Sequence, residues 1–114
     1  MADSPAAFIV SVAFDCADPR ALAAFWAAAT GYSTELESDE VVRLKAVDPR
    51  GVRRLVFWRV PEPKTAKTRV HVDLASRDPQ ATVAKLVALG AREVEARPGW
   101  TVMADPEGNE FCVG

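Results

Sequence analysis

The chain carries VAFDCADPRALAAFWAAATG at residues 12–31 and follows the same plan in VDLASRDPQATVAKLVALG at residues 72–90. Each stretch is an apolar run, then Asp-Pro, then an apolar-periodic segment that ends near glycine. Asp18 recurs as Asp78, an offset of 78 − 18 = 60, and several alanines recur at the same offset. A repeat of this length within 114 residues indicates two copies of one structural unit.

The first copy predicts a half-buried strand followed by a helix. From residue 8 to residue 15 large apolar residues alternate with smaller or polar ones, which is the period of such a strand. Asp18 offers a side-chain oxygen that caps the helix, and Pro19 fits its first turn because no amide donor is needed there. Gly31 ends the helix. The strand residues expected against this helix are Val10, Val12 and Phe14.

Three shorter strands are expected after each helix, so each unit reads strand, helix, strand, strand, strand. In the first unit they are predicted at Ser33–Leu36, Val41–Val47 and Arg54–Val60, with a turn at Asp48–Gly51. The second unit opens with a strand at Arg69–Leu74, whose Val70, Val72 and Leu74 are expected against the second helix. Its later strands are predicted at Arg92–Ala96, Trp100–Ala104 and Glu110–Val113. We expect a single domain over residues 1–114, with units at about 8–60 and 68–114 and a proline-containing linker at 61–67.

Composition excludes several classes of function. A net charge of −2 gives no basic field that would attract nucleic acid. No apolar stretch reaches about 18 residues, so neither a membrane span nor a signal peptide is expected. Cys16 and Cys112 do not make a disulfide framework, and the expected location is therefore the reducing cytoplasm.

Phrases over nearly the whole chain also carry a family resemblance. They are Asp18-Pro19 with Phe25-Trp26, Val60–Lys64, Arg69–Asp73, Leu89–Ala91 and the turn and strand Asp105–Cys112. On these motifs the chain resembles the vicinal oxygen chelate superfamily, which includes glyoxalase I, extradiol dioxygenases and bleomycin-resistance proteins. Its small glyoxalase-like domains are the most similar. The resemblance implies an α+β fold in which two βαβββ units form curved mixed sheets around a cleft, with the helices outside.

Strand parity predicts which side chains face that cleft. Neighbouring residues of a strand point to opposite faces, so the residues between the helix-facing ones point to the cleft. The ligand-binding cleft is accordingly predicted to contain Ser11, Trp58, His71, Asp73, Glu110 and Cys112. Asp15 faces the same way in the first strand.

The resemblance also places the superfamily's four metal ligands, at Ser11, Trp58, His71 and Cys112. Tryptophan has a donor N–H and no lone pair to give, and hard divalent ions prefer imidazole and carboxylate donors. We therefore expect a degenerate metal site and no cofactor. The alternative is a divalent metal such as zinc held by His71, Cys112 and Glu110.

These observations leave three functional hypotheses. The first is a metal-independent domain that binds a small organic molecule, for which a cleft lined by acidic residues beside Trp58 favours an aromatic cation. The second is a lyase, isomerase or hydrolase of the glyoxalase type, with His71 as acid–base residue and Glu110 as a second catalytic candidate. A nucleophilic pair of Cys112 and His71 is a variant of it.

The third hypothesis is a structural or regulatory dimer module. In drug-sequestering relatives two chains pair so that clefts form at their interface, and the resemblance therefore implies a homodimer here. The expected partners are a small-molecule ligand and a second copy of the chain, with no nucleic acid and no membrane.

Overall fold

The computed structural model describes residues 5–48 and 50–114. The first unit contains β1 (Ser11–Cys16), α1 (Pro19–Thr30), β2 (Ser33–Glu37), β3 (Val41–Lys45) and β4 (Arg54–Arg59). The second contains β5 (Val72–Leu74), α2 (Pro79–Ala88), β6 (Arg92–Arg97), β7 (Trp100–Ala104) and β8 (Glu110–Val113). Both copies therefore have the predicted order of elements. The turn predicted between β3 and β4 includes Pro49, which lies outside the described residues.

The repeated Asp-Pro starts both helices as predicted. The Asp18 carboxylate accepts the Ala21 N–H at 3.1 Å, and the Asp78 carboxylate accepts the Ala81 N–H at 3.2 Å. Gly31 ends α1 with a φ of 78°, a left-handed conformation that glycine adopts without strain. Neither helix combines the length and the hydropathy that crossing a membrane requires.

The strands form two four-stranded sheets with the orders β1-β4-β3-β2 and β5-β8-β7-β6. In each sheet the first strand of the unit pairs in parallel with the last, while the other pairings are antiparallel. Both sheets are therefore mixed, and the predicted α+β fold with two βαβββ units is confirmed. β1 and β5 each stand at the end of their sheet's order, next to the gap between the two units.

The hydrophobic core is unequal between the two units. On α1, Phe25 and Trp26 are buried against the first sheet and also reach the second, where the Trp26 and Phe111 ring centroids lie 5.0 Å apart. Leu86 is the one fully buried residue of α2. The aromatic side chains of α1 consequently tie the two sheets together.

The turn between β7 and β8 makes a second connection between the units. Asp105 is buried, and its carboxylate accepts the Trp26 indole N–H at 3.0 Å as well as the backbone N–H groups of Glu107 and Asn109. The Glu107 carboxylate in turn accepts the N–H groups of Ala17 and Asp18 at 2.7 and 2.9 Å. The Asp-Pro-Glu-Gly-Asn turn therefore binds the start of α1, a role that sequence inspection does not predict.

The first strand of each unit is shorter than predicted. Val10 and Val70 are expected against the helices, but they precede β1 and β5 and are 42% and 76% exposed. The reason is that a strand extends only where its neighbour offers a ladder of hydrogen bonds. Ser11 already pairs with Arg54, the first residue of β4, and the Arg54 N–H also donates to the Val10 carbonyl oxygen at 3.1 Å, so the ladder of β1 ends there.

Candidate functional site

A shallow depression of about 310 Å³ lies on the first sheet, opposite α1. We call this surface the Trp58 face; it is lined by Ser11, Ala13, Val56 and Trp58, among others. The Trp58 side chain is 49% exposed there. Its register partners are Asp15 on β1 and Val41 on β3, so the indole lies between a carboxylate and an apolar side chain.

The basic groups of the Trp58 face are neutralised in part by one carboxylate. Glu35 binds both arginines of the depression, at 2.8 Å to Arg43 Nε and 3.1 Å to Arg54 Nε. These contacts, led by the hydrogen bond from Arg54, lower the pKa of Glu35. Within the described residues Asp15 makes no ion pair. Its carboxylate is therefore free of ion pairs at the position next to Trp58 in the register of the sheet.

A second depression, of about 490 Å³, lies on the second sheet opposite α2. We call this surface the Trp100 face; it is lined by Asp73, Leu74, Ala75, Trp100, Cys112 and Gly114. Asp73 and Val102 are the register partners of Cys112, so all three side chains leave the same face of the sheet.

Trp100 lines this depression and is not among the residues predicted for the cleft. Its side chain is 46% exposed at the first position of β7. The alternation of side chains along β7 could have identified it. Met103 is fully buried on the helix side, so Val102 and Trp100 point to the opposite face, as Cys112 does. Each sheet therefore presents one half-exposed indole on the face opposite its helix.

Cys112 has the properties of an unreactive thiol. Burial raises its pKa, and the neighbouring Asp73 carboxylate raises it further. The pKa of Cys16 is raised to about 12 by burial and nearby carboxylates, and its Sγ contacts the Trp58 carbonyl oxygen at 3.5 Å. Since the thiolate is the nucleophilic form, neither cysteine is prepared for covalent chemistry.

The rate of alkylation by iodoacetamide tests whether the Cys112 thiol is unreactive. At pH 7.5 we expect Cys112 to react more slowly than a free thiol, and Asp73→Asn to accelerate it several-fold by removing the adjacent negative charge. Cys112→Ser provides the blank. A fast, pH-independent reaction below pH 8 would instead indicate a preformed thiolate.

His71 lies just before β5 and lines neither of the two faces. Its Nε2 atom is 3.0 Å from Lys67 Nζ and 3.1 Å from the Thr68 carbonyl oxygen. One nitrogen cannot accept from the lysine and donate to the carbonyl at the same time, so these two contacts compete. The His71 ring therefore has one backbone partner, the Thr68 carbonyl, and one cationic neighbour, Lys67.

Glu110 is also held by the segment that precedes β5. Its Oε2 accepts the Thr68 N–H at 2.8 Å and its Oε1 lies 3.6 Å from Lys64 Nζ. The bonds from Thr68, with a smaller contribution from Lys64, lower the pKa of Glu110 to about 2. A carboxylate with so low a pKa is a weak base near neutral pH, so Glu110 is better suited to holding the linker than to proton transfer.

The low pKa of Glu110 predicts a pH-dependent contribution to stability. A carboxyl group whose pKa falls on folding stabilises the protein above its unfolded pKa, here near 4.5, and loses this effect as the pH falls toward about 2. We expect Glu110→Gln to lower the Tm by about 5 °C at pH 7. The two Tm values should converge as the pH is lowered to 2, and a constant difference from pH 7 to pH 2 would exclude the charge as its cause.

Comparison with known proteins identifies the fold family. The family model of the glyoxalase-like domain matches residues 11–114. The chain belongs to the glyoxalase-like domain family. The predicted place in the vicinal oxygen chelate superfamily is thereby confirmed. None of the curated proteins matches the sequence.

Solved structures share the fold of this glyoxalase-like domain at low sequence identity. A glyoxalase/bleomycin resistance protein/dioxygenase family enzyme from Burkholderia phytofirmans PsJN is 19% identical with a TM-score of 0.73, over 94% of this chain and 97% of that chain. A glyoxalase-related enzyme from Fulvimarina pelagi is 17% identical with a TM-score of 0.71, over 93% and 86% of the two chains. A lactoylglutathione lyase from Agrobacterium tumefaciens is 20% identical with a TM-score of 0.65, over 97% and 94%.

The four positions of the superfamily's metal ligands do not line one common depression in this glyoxalase-like domain. Ser11 and Trp58 line the Trp58 face, Cys112 lines the Trp100 face, and His71 lines neither. Nowhere in residues 5–48 and 50–114 do three or more His, Cys, Asp or Glu side chains form a group that could hold a metal ion. The alternative set of His71, Glu110 and Cys112 is thus not assembled there. The six side chains predicted for one cleft are divided between separate surfaces of the chain.

Proposed function

We propose that this glyoxalase-like domain binds a small aromatic cation without the help of a metal. One observation carries the proposal: each sheet combines a half-exposed indole with a nearby carboxylate on the face opposite its helix. Trp58 has Asp15 as its register partner, and Trp100 lines the same depression as Asp73.

Physical chemistry favours this ligand class. An indole face attracts a cation by about 0.5–2 kcal/mol, and its flat apolar surface packs against a ring. A carboxylate next to the indole adds charge complementarity. Glu110 does not contribute to this charge as the sequence analysis expects, because Thr68 and Lys64 already hold it.

Pairing of two chains would bring these faces into one cleft, and we propose a homodimer for that reason. Phe8, Ile9 and Val70 are each about three-quarters exposed near the free edges of β1 and β5. The radius of gyration is 14.8 Å, against about 13 Å for a compact domain of this length. A single chain therefore leaves apolar surface that a second copy is suited to cover.

Sedimentation equilibrium tests the pairing. We expect a dimer at micromolar concentration, weakened at least about tenfold by Phe8→Asp, since a buried charge at an apolar contact costs more than 1.4 kcal/mol. Val94→Asp, at a half-exposed valine of β6, which lies at the opposite end of the second sheet's order from β5, is the control. A monomeric wild-type protein at about 100 μM would contradict the proposal.

An NMR titration of the tryptophan indole N–H signals tests the ligand class. The chain has three tryptophans, of which Trp26 is buried and serves as an internal reference. We expect 1-methylquinolinium to shift the Trp58 signal and to bind at least about tenfold more tightly than 1-naphthoate, an aromatic anion of similar size. Equal binding of the two probes, or binding of the anion alone, would overturn the cationic assignment.

A further inference from the structure

A third cavity, of about 690 Å³, lies on the helix side of the second sheet and is larger than either depression described above. It is a crevice between the first turn of α2 and the hairpin formed by β6 and β7. The superfamily's ligand positions do not line it. Its volume is within the range of about 300–1,000 Å³ that small-molecule sites occupy.

The repeat shows that the helix beside this crevice packs less fully than its counterpart in the first unit. In the first unit α1 fills the space above its sheet with Leu22 and Phe25, both buried. At the offset of 60 residues these positions are Thr82 and Lys85 in α2. These side chains are smaller or polar, and α2 consequently buries only Leu86, whereas α1 buries five residues.

The walls of the crevice combine apolar surface with a balanced set of charges. Val83 and Pro79 of α2 supply most of the apolar part, together with Trp100 at the start of β7. Arg77 and Asp78 contribute charges at the helix start, and Glu93 and Arg97 contribute charges from β6. The lining is therefore neutral overall, which disfavours multiply charged ligands such as nucleotides.

Two of these four charges already have partners. Asp78 caps α2 through the Ala81 N–H, and Arg97 binds Glu95 at 3.0 Å. Within the described residues Arg77 and Glu93 take part in no ion pair. The crevice thus presents one guanidinium and one carboxylate that are free to receive opposite charges.

We propose that this crevice binds an aromatic zwitterion of the free amino acid type. Arg77 receives the ligand carboxylate through its planar pair of donors, Glu93 receives the ammonium group, and the ring packs against Pro79 and Val83 beside Trp100. The site is distinct from the proposed cation site on the Trp58 face. Because Trp100 lines both the crevice and the Trp100 face, a ligand in the crevice also contacts the wall of that face.

L-phenylalanine is the probe that tests this assignment. We expect it to shift the Trp100 indole signal in an NMR titration and to leave the Trp58 signal unchanged. Phenylacetate lacks the ammonium group and phenethylamine lacks the carboxylate, so each should bind at least about tenfold more weakly. Arg77→Ala and Glu93→Gln should each weaken phenylalanine binding by a similar factor.

Arg53→Ala removes an exposed arginine of the first unit that lines none of the cavities described, and it should bind like the wild type. No binding up to about 10 mM phenylalanine would overturn the site. So would equal binding of the three probes, or binding that Arg77→Ala and Glu93→Gln leave unchanged. A response confined to the Trp58 signal would assign phenylalanine to the first sheet and also overturn it. The two proposals can fail independently. The crevice is tested by the response of the Trp100 signal to phenylalanine, and the proposed function by the response of the Trp58 signal to 1-methylquinolinium.

Discussion

Asp105→Ala is expected to lower the Tm by about 10–20 °C, corresponding to about 3–5 kcal/mol of unfolding free energy. The Asp105 carboxylate is buried and accepts hydrogen bonds from the Trp26 indole and from the backbone of its own turn. Alanine would leave these donors without acceptors in a site that water does not reach. Thermal unfolding followed by circular dichroism measures the loss.

The first unit offers a matched control for this substitution. Asp48 occupies the corresponding turn between β3 and β4, where its side chain is exposed and binds Arg50. Asp48→Ala should change the Tm little, because water replaces the lost partner. Equal effects of the two substitutions would show that Asp105 acts within its turn rather than between the units.

Trp26→Phe tests the hydrogen bond between the two units separately from the hydrogen bonds within the turn. It keeps an aromatic ring in the core but removes the indole N–H that Asp105 accepts. We expect Trp26→Phe to lower the unfolding free energy by about 1–3 kcal/mol, less than Asp105→Ala does. The double variant should lose less unfolding free energy than the two single variants lose together. Strict additivity would contradict a direct coupling between the two side chains.

Trp58→Ala is expected to weaken binding of an aromatic cation by about 10–100-fold while leaving the fold intact. The indole supplies both the apolar wall and the attraction for the cation on its face, and central aromatic anchors carry much of the energy of such sites. Because half of the side chain is exposed, its loss creates no closed cavity in the core. Titration calorimetry with 1-methylquinolinium measures the affinity, and circular dichroism checks the fold.

Two further variants show which property of Trp58 matters. Trp58→Phe should retain part of the affinity because a smaller aromatic face remains. Asp15→Asn should weaken binding of the aromatic cation but not binding of a neutral aromatic probe, because the substitution removes only charge. If Trp58→Ala binds like the wild type, the ligand does not occupy the Trp58 face.

The elements that sequence predicts well here are those specified by neighbouring residues. Asp18, Pro19 and Gly31 define a helix by local capping and backbone conformation, and Asp78 and Pro79 start the second helix in the same way, although its C-cap is Leu89. Strand starts are less predictable, because the pairing of Ser11 depends on where β4 begins along the chain. Val10 is consequently exposed although the alternation continues through it.

The candidate site depends even more on distant contacts. Parity places Trp58 and Cys112 on the faces opposite the helices, but it does not reveal that they line separate depressions. The engagement of Glu110 by Thr68 joins residues 42 apart, and that of Asp105 by Trp26 joins residues 79 apart. The first contact depends on how the second unit folds back on itself and the second on how the two units pack, and no local motif contains either.

Metal dependence is the most direct test of the proposed function. The measurement is the affinity of 1-methylquinolinium for protein dialysed against EDTA, repeated after addition of equimolar zinc or nickel, with metal content determined by elemental analysis. We predict the same dissociation constant in all cases and less than about one tenth of an equivalent of metal in the untreated protein. A stoichiometric metal that disappears in His71→Ala, together with binding that EDTA abolishes, would contradict a metal-independent site.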